Sequence, residues 1–173
     1  TNIEHQRGSD GGVYLGTRTS VYYKNNSMTD WIIYDNDLPK PTTSVQLIPY
    51  YRKGQLFNGT NRSAYVVDLF ENSPPSAQIA ADKMDLNCMN DEVNFVCHSA
   101  VRATNATWNW VFAGGTPNTS NLENPTVIYN QAGSYDVTLT VTDQFGSSTQ
   151  TLANFITYND TTSLITSSSN YQE

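Results

Sequence analysis

The chain has 173 residues, of which 38% are hydrophobic and 12% aromatic, enough for one ordinary domain or two small ones with real cores. Only 14% are charged and the net charge is −7, which sets electrostatics against a phosphate backbone or an anionic membrane and argues against nucleic acid as a partner. No run of about 18 apolar residues occurs, so no membrane-spanning helix is expected. Ser, Thr, Asn and Tyr carry the polarity instead of charge, a composition typical of extracellular or cell-surface β-proteins. The chain opens Thr1-Asn2-Ile3-Glu4 without a start methionine or signal peptide, and the expectation is a processed form or a fragment whose export signal lies upstream.

Residues 1–72 predict an all-β array. Gly11 to Thr17, Ser20 to Lys24, Trp31 to Tyr34, Ser44 to Tyr51, Gln55 to Thr60 and Ser63 to Leu69 read as short strands at about ten-residue spacing, and nothing has a helical period. So many strands in so short a stretch need a partner sheet. Leu15-Gly16-Thr17-Arg18-Thr19-Ser20-Val21-Tyr22-Tyr23 and Asn58-Gly59-Thr60-Asn61-Arg62-Ser63-Ala64-Tyr65-Val66-Val67 share one plan, a strand, Gly-Thr, a polar break and a second strand. The Ser9-Asp10-Gly11-Gly12 hairpin and the strands after it, Gly8 to Phe70, resemble the closing blades of β-propellers of the sialidase and sortilin-like kind. The strict aspartate-box repeat is absent, since Ser9 and Asp10 are adjacent. A propeller needs several blades of four strands, so the resemblance implies the C-terminal end of something longer.

Ser73-Pro74-Pro75-Ser76 marks the expected boundary, because a Pro-Pro pair removes amide donors and stiffens the chain. A second unit is expected over residues 77–158. Trp108, Trp110 and Phe112 alternate along a strand that stops at Ala113-Gly114-Gly115. Thr126 to Tyr129 forms a shorter apolar run. Tyr135, Val137, Leu139 and Val141 then recur at every second position with Asp136, Thr138, Thr140 and Thr142 between them, the period of a half-buried antiparallel strand. Tyr135 follows a turn, where sandwich folds place a tyrosine whose hydroxyl bonds back to the preceding backbone. Trp110, Phe112, Tyr129, Tyr135, Val137, Leu139 and Val141 are thus the expected structural core.

Trp110-Val111-Phe112-Ala113-Gly114-Gly115, Asn124-Pro125, Tyr129 and the run Gly133 to Gly146 together resemble the polycystic-kidney-disease-type (PKD) domain, an immunoglobulin-like β-sandwich of extracellular proteins. The resemblance covers about Pro74 to Tyr158. Trp108 to Pro117 is similar to the variant common in secreted proteins of Bacteroidota. Where the family has Asp-Phe-Gly-Asp-Gly after the tryptophan, this chain has Val111, Ala113 and Gly114 at the acidic and first glycine positions. The last stretch, Asn159 to Glu173, is Ser/Thr-rich and reads as a linker or tail.

Candidate chemistry is sparse. Cys88 and Cys97 flank what reads as a turn at Asn90-Asp91 between two short strands, and a disulfide between them would close a loop of about ten residues. His98 points away from Cys97 by alternation, so no metal pair forms there. No cofactor is expected; Asp82, Asp85, Asp91 and Glu92 offer oxygen ligands suited to calcium but no ligand pattern. Glu4, His5, Arg7 and Asp10 cluster near the start, without the spacing of a nucleophile, base and orienting group. Asp30, Asp35 and Asp37 read as turn residues. Tyr22, Tyr23, Trp31, Tyr34, Tyr50 and Tyr51 include candidate sugar-stacking platforms, although strand alternation turns about half of such residues inward. Six Asn-x-Ser/Thr sites, at Asn25, Asn58, Asn61, Asn105, Asn118 and Asn159, carry no weight at this composition.

The expected function is a non-catalytic extracellular module that spaces and presents neighbouring domains and contacts a surface glycan or protein. The alternative is the C-terminal part of a propeller-type hydrolase, a glycosidase or peptidase with its active residues mostly upstream. A third reading is an assembly subunit that pairs exposed strand edges with another chain.

Overall fold

The computed structural model describes residues 1–34, 38, 43–88, 90–102 and 105–159. Asp35, Asp37 and the tail beyond Asn159 lie outside the described residues. Every regular element described is a strand, and the fold is all-β. The chain forms two compact units. Unit 1 comprises Thr1–Ser76, Ala100–Ala106 and Thr142–Ser148; unit 2 comprises Ala77–Ser99, Thr107–Val141 and the described part of Thr149–Glu173.

Unit 1 holds two antiparallel meanders. Strands β1 (Asn2–His5), β2 (Val13–Gly16), β3 (Val21–Lys24) and β4 (Ile32–Ile33) pair in sequence order. Strands β5 (Ser44–Tyr50), β6 (Gln55–Thr60) and β7 (Ala64–Asp68) do the same in a three-stranded sheet. Alternation turns Tyr14, Val21 and Tyr23 of the first sheet and Leu47, Leu56 and Val67 of the second into one core, joined by Leu38 and Leu69. The partner sheet that these strands need comes from residues 1–72 themselves.

The hairpins β2–β3 and β6–β7 turn in the same way. Thr17 N–H donates to the Ser20 carbonyl at 3.0 Å and Thr60 N–H to that of Ser63 at 2.9 Å. In each turn the threonine Oγ1 donates to the same serine carbonyl and accepts from the serine N–H. The Gly-Thr-x-x-Ser likeness read from the sequence is therefore a repeated side-chain-locked turn.

The unit 1 core is knitted by tyrosine hydroxyls. Tyr14 Oη donates to Gln6 Oε1 at 2.6 Å and accepts from Phe70 N–H at 2.7 Å. Gln6 Nε2 donates to the Glu71 carbonyl and to Ser73 Oγ. Tyr23 Oη and Asn25 Nδ2 both donate to Glu71 Oε1. The rings of Tyr14, Tyr23, Tyr34 and Phe70 pack against one another, with Tyr23 and Phe70 stacked at 4.3 Å. Residues 70–73 thus complete a network that begins at Gln6.

Unit 2 is a two-sheet sandwich. One sheet has the order β12 (Gly115–Thr116), β14 (Thr126–Tyr129), β10 (Glu92–Cys97) and β8 (Ile79–Ala81). The other has β13 (Thr119–Ser120), β11 (Thr107–Phe112), β15 (Gly133–Asp143), β16 (Gly146–Tyr158) and β9 (Asp85–Leu86), the last running parallel to β16. Trp110, Phe112, Tyr129, Val137, Leu139 and Val141 are fully buried between the sheets with Phe95, Val93, Val127 and Ile156. Each such side chain contributes about 1.5–3 kcal/mol by leaving water.

Tyr135 is half-buried against this core, and its hydroxyl donates to the Gln131 carbonyl at 2.6 Å, the corner expected of it. Its ring lies over Gly114, which has φ +66°; a Cβ there would sit 2.2 Å from Tyr135 Cε1, so both conformation and space require glycine. Asn124, of the Asn-Pro pair, accepts Cys97 N–H through Oδ1 at 3.0 Å, and the Pro125 carbonyl accepts Phe95 N–H. Two of the recognisable motifs are therefore packing and capping devices. On the outer face, Thr138 and Thr140 share hydroxyl hydrogen bonds of 2.9 Å with Thr151 and Thr149.

The expected Cys88–Cys97 disulfide is absent. Strand β9 belongs to the five-stranded sheet and β10 to the other, so the segments on either side of Asn90-Asp91 are not a hairpin. Both thiols are free: Cys88 is exposed, and Cys97 is buried with Sγ 3.1 Å from Ser99 Oγ.

Candidate functional site

The residues first suspected of chemistry do not converge. Glu4 and His5 are neighbours on β1, so alternation sends them to opposite faces. Asp10 Oδ1 accepts Asn26 Nδ2, and Arg7 N–H donates to Tyr51 Oη, which in turn donates to the His5 carbonyl. Burial raises the Tyr51 hydroxyl above its ordinary range, partly offset by the Arg7 N–H.

Two of the candidate acids of unit 2, Asp82 and Asp91, are engaged as well. Asp82 Oδ1 and Oδ2 accept the backbone and side-chain N–H groups of Asn94, each at 2.9 Å. Burial works to raise the Asp82 carboxyl, but these two bonds and the nearby Lys83 outweigh it and hold it below the usual carboxylate range. Asp91 pairs with Lys83. Among the described residues no three Asp, Glu, His or Cys side chains gather as metal ligands.

The aromatic residues divide. Tyr23 is core, Tyr34 and Tyr51 pack against that core, and Tyr22 is half-buried. Trp31 and Tyr50 remain exposed. Tyr50 stands beside an apolar row on the outer face of the three-stranded sheet, where register sets Ile48 opposite Phe57 and Phe57 opposite Val66. Ile48 and Val66 are exposed, and the Tyr50 and Phe57 rings meet edge to face at 6.0 Å.

The feature with most chemical content was not singled out from the sequence. A groove of about 730 Å³ in unit 1 is lined by Arg52, Lys53, Gln55, Asp68, Asn72 and Arg102, with Gln144 and Phe145 at one side. The β5–β6 turn carries the first two cations. Lys53 and Gly54 N–H groups bond back to the Tyr50 and Tyr51 carbonyls, and Gly54 takes φ +68°. Arg102 lies flat on Gly54: a Cβ at position 54 would come within 0.9 Å of Arg102 Nη1. Its Nη2 donates to Asn72 Oδ1 at 3.2 Å, and its guanidinium carbon stands 5.4 Å from the centre of the Phe145 ring.

Buried Asp143 sets the two supporting loops. Its Oδ2 accepts Arg102 N–H at 3.0 Å and its Oδ1 accepts Phe145 N–H at 2.8 Å. This carboxylate was legible only as the last residue of the alternating strand, and Arg102 only as an isolated cation. Their chemistry arises from four segments far apart in sequence. Such a groove can hold an anion and hydrogen-bond neutral polar groups beside it.

A search of curated proteins found no match to the chain. The sequence model of one family does match: residues 83–154, which carry strands β9 to β15 and most of β16, match the PKD domain, an immunoglobulin-like, non-catalytic domain of extracellular proteins.

Proposed function

We propose that this chain is a non-catalytic extracellular module of a secreted or cell-surface protein, one that spaces and presents neighbouring domains and contacts a glycan or protein. The observation that carries it is the PKD match over residues 83–154, on a sandwich whose interior is filled by Trp110, Phe112, Phe95, Tyr129 and the β15 side chains. In this reading residues 1–72 form a propeller-like segment, 73–76 a Pro-rich linker, 77–158 the PKD sandwich and 159–173 a linker or tail. Contact with a partner falls to the exposed surfaces of unit 1, where Trp31, Tyr50 and the cation-lined groove face solvent.

The alternative, the C-terminal part of a propeller-type hydrolase, draws support from β1 to β4, a four-stranded antiparallel meander with the plan of a propeller blade. One experiment separates the two. The purified chain is applied to an array of glycans and extracellular-matrix proteins and, in parallel, incubated with chromogenic glycosides and peptides. Retention without turnover is the expected result; turnover that survives repurification would overturn the binding-module reading.

A further inference from the structure

The groove has a charge that the rest of the chain does not predict. The sequence carries nine Lys and Arg against sixteen Asp and Glu, yet Arg52, Lys53 and Arg102 line this one groove with a single carboxylate, Asp68. At physiological salt a charge is felt over about 8 Å, so a bound group senses the charges that line the groove more than the acids far from it. The guanidinium of Arg102 is held by neutral groups, the Asn72 amide, the Phe145 face and the Gly54 backbone. Asp143 fixes the backbone that presents it, through Arg102 N–H and Phe145 N–H.

We propose that this groove binds an acidic polysaccharide through its carboxylate or sulfate groups, with Arg102 as the principal anion contact. The planar guanidinium fork, aimed by Asn72 and Phe145, matches the paired oxygens of such a group, and Lys53 adds a mobile point charge at the rim. Gln55, Asn72 and Gln144 supply the amide donors and acceptors that sugar hydroxyls need. The volume falls within the range of small-ligand sites, and the groove is open to solvent. A nucleic acid fits worse, because its one charge per about 1.7 Å of duplex meets a protein of net charge −7 beyond the groove.

The inference rests on the binding-module reading and names its ligand class. The test is titration calorimetry of the whole chain with oligogalacturonate, sulfated dextran oligosaccharide and neutral maltooligosaccharide, at low and at high salt. The acidic probes are expected to bind and to weaken with salt, the stronger of the two naming the recognised group. Arg102→Gln should weaken binding by about tenfold, the worth of one charge-assisted contact. Lys53→Glu, at an exposed turn position, should weaken it as well, which keeps the test valid if Arg102→Gln fails to fold. Acidic probes bound equally well by folded variants would overturn the groove assignment. Neutral probe bound as tightly, without salt dependence, would overturn the acidic ligand but leave the binding module standing. A folded chain that binds none of the three would overturn the inference, and a chain that also fails on the wider array would overturn the module reading with it.

Discussion

The two units bury their aromatic side chains by different means. In unit 2 the interior is hydrocarbon: Trp110 stacks on Phe112 at 5.5 Å, Phe95 tilts against both, and β-branched and leucine side chains of β10, β14 and β15 fill the remainder. In unit 1 the largest buried side chains are Tyr14 and Tyr23, whose hydroxyls bond to Gln6, Glu71 and Phe70, residues up to 56 positions away. A hydrocarbon core tolerates changes that keep volume, whereas a buried polar network punishes the loss of any one member. The units should therefore answer the same perturbation differently.

Alkaline pH is the widest-reaching such perturbation. Burial raises the hydroxyls of Tyr14, Tyr23 and Tyr129 above the ordinary tyrosine range, with Glu71 adding to the shift of Tyr23. A group whose folded pKa is raised contributes stability that is full below its unfolded value, near 10, and is lost as pH rises toward the folded value. With Tyr51 raised as well, stability should thus hold to about pH 10 and fall above it, more steeply in unit 1, which holds three of the four. Tyrosinate absorbance followed against pH, alongside the fluorescence of buried Trp110, checks this. Smooth titration of all tyrosines near pH 10 with Trp110 unchanged would break the comparison.

Trp110→Ala attacks unit 2 alone. The cavity should cost about 3–5 kcal/mol, read as a drop in the denaturant midpoint. If unit 1 folds on its own contacts, near-ultraviolet dichroism from its tyrosines should persist after unit 2 has melted.

Single hydroxyls sharpen the contrast further. Tyr14→Phe strands Gln6 Oε1 and Phe70 N–H in a buried site, at an expected cost of about 1–3 kcal/mol. The Tyr129 hydroxyl, buried in unit 2, has no hydrogen-bond partner among the described residues, so Tyr129→Phe should be neutral or stabilise by up to about 1 kcal/mol. Paired chemical denaturation curves of the two variants decide the matter; equal costs would mean that the Tyr14 network contributes nothing beyond ring packing.

The sequence was readable where a single strand carries its own signal. Strand β15 shows its two faces by strict alternation, and Gly114 and Asn124 sit in motifs whose spacing is local. Strand β16 is longer than β15 but went unread, because Ser147 to Thr151 is polar on both faces and Asn154, at φ +53°, interrupts the later alternation. Strand β1 hid among the charges Glu4, His5 and Arg7. The disulfide expectation failed because residues close in sequence were assigned to one hairpin, when β9 and β10 join different sheets. The groove could not be read at all: Lys53, Asn72, Arg102 and Phe145 meet only after the chain has folded. The repeated Gly-Thr-x-x-Ser turn is visible as a likeness, but its cause, the threonine hydroxyl bridging the serine N–H and carbonyl, exists only in the folded turn.

The smallest expected effect lies on the outer face of unit 2, where Thr140 and Thr149 share a hydrogen at 2.9 Å. Cross-strand threonine pairs contribute about 0.2–1 kcal/mol, part hydroxyl bond and part methyl packing. A double-mutant cycle with Thr140→Val and Thr149→Val separates the two, since valine keeps the branched shape and removes only the hydroxyl. A coupling of several tenths of a kcal/mol means that the hydroxyls themselves hold β15 to β16, extending to unit 2's surface the polar stitching that unit 1 keeps inside. A coupling of zero, with each single variant also neutral, would mean that unit 2 holds by its hydrocarbon interior and backbone ladder, and the contrast between the units would be complete.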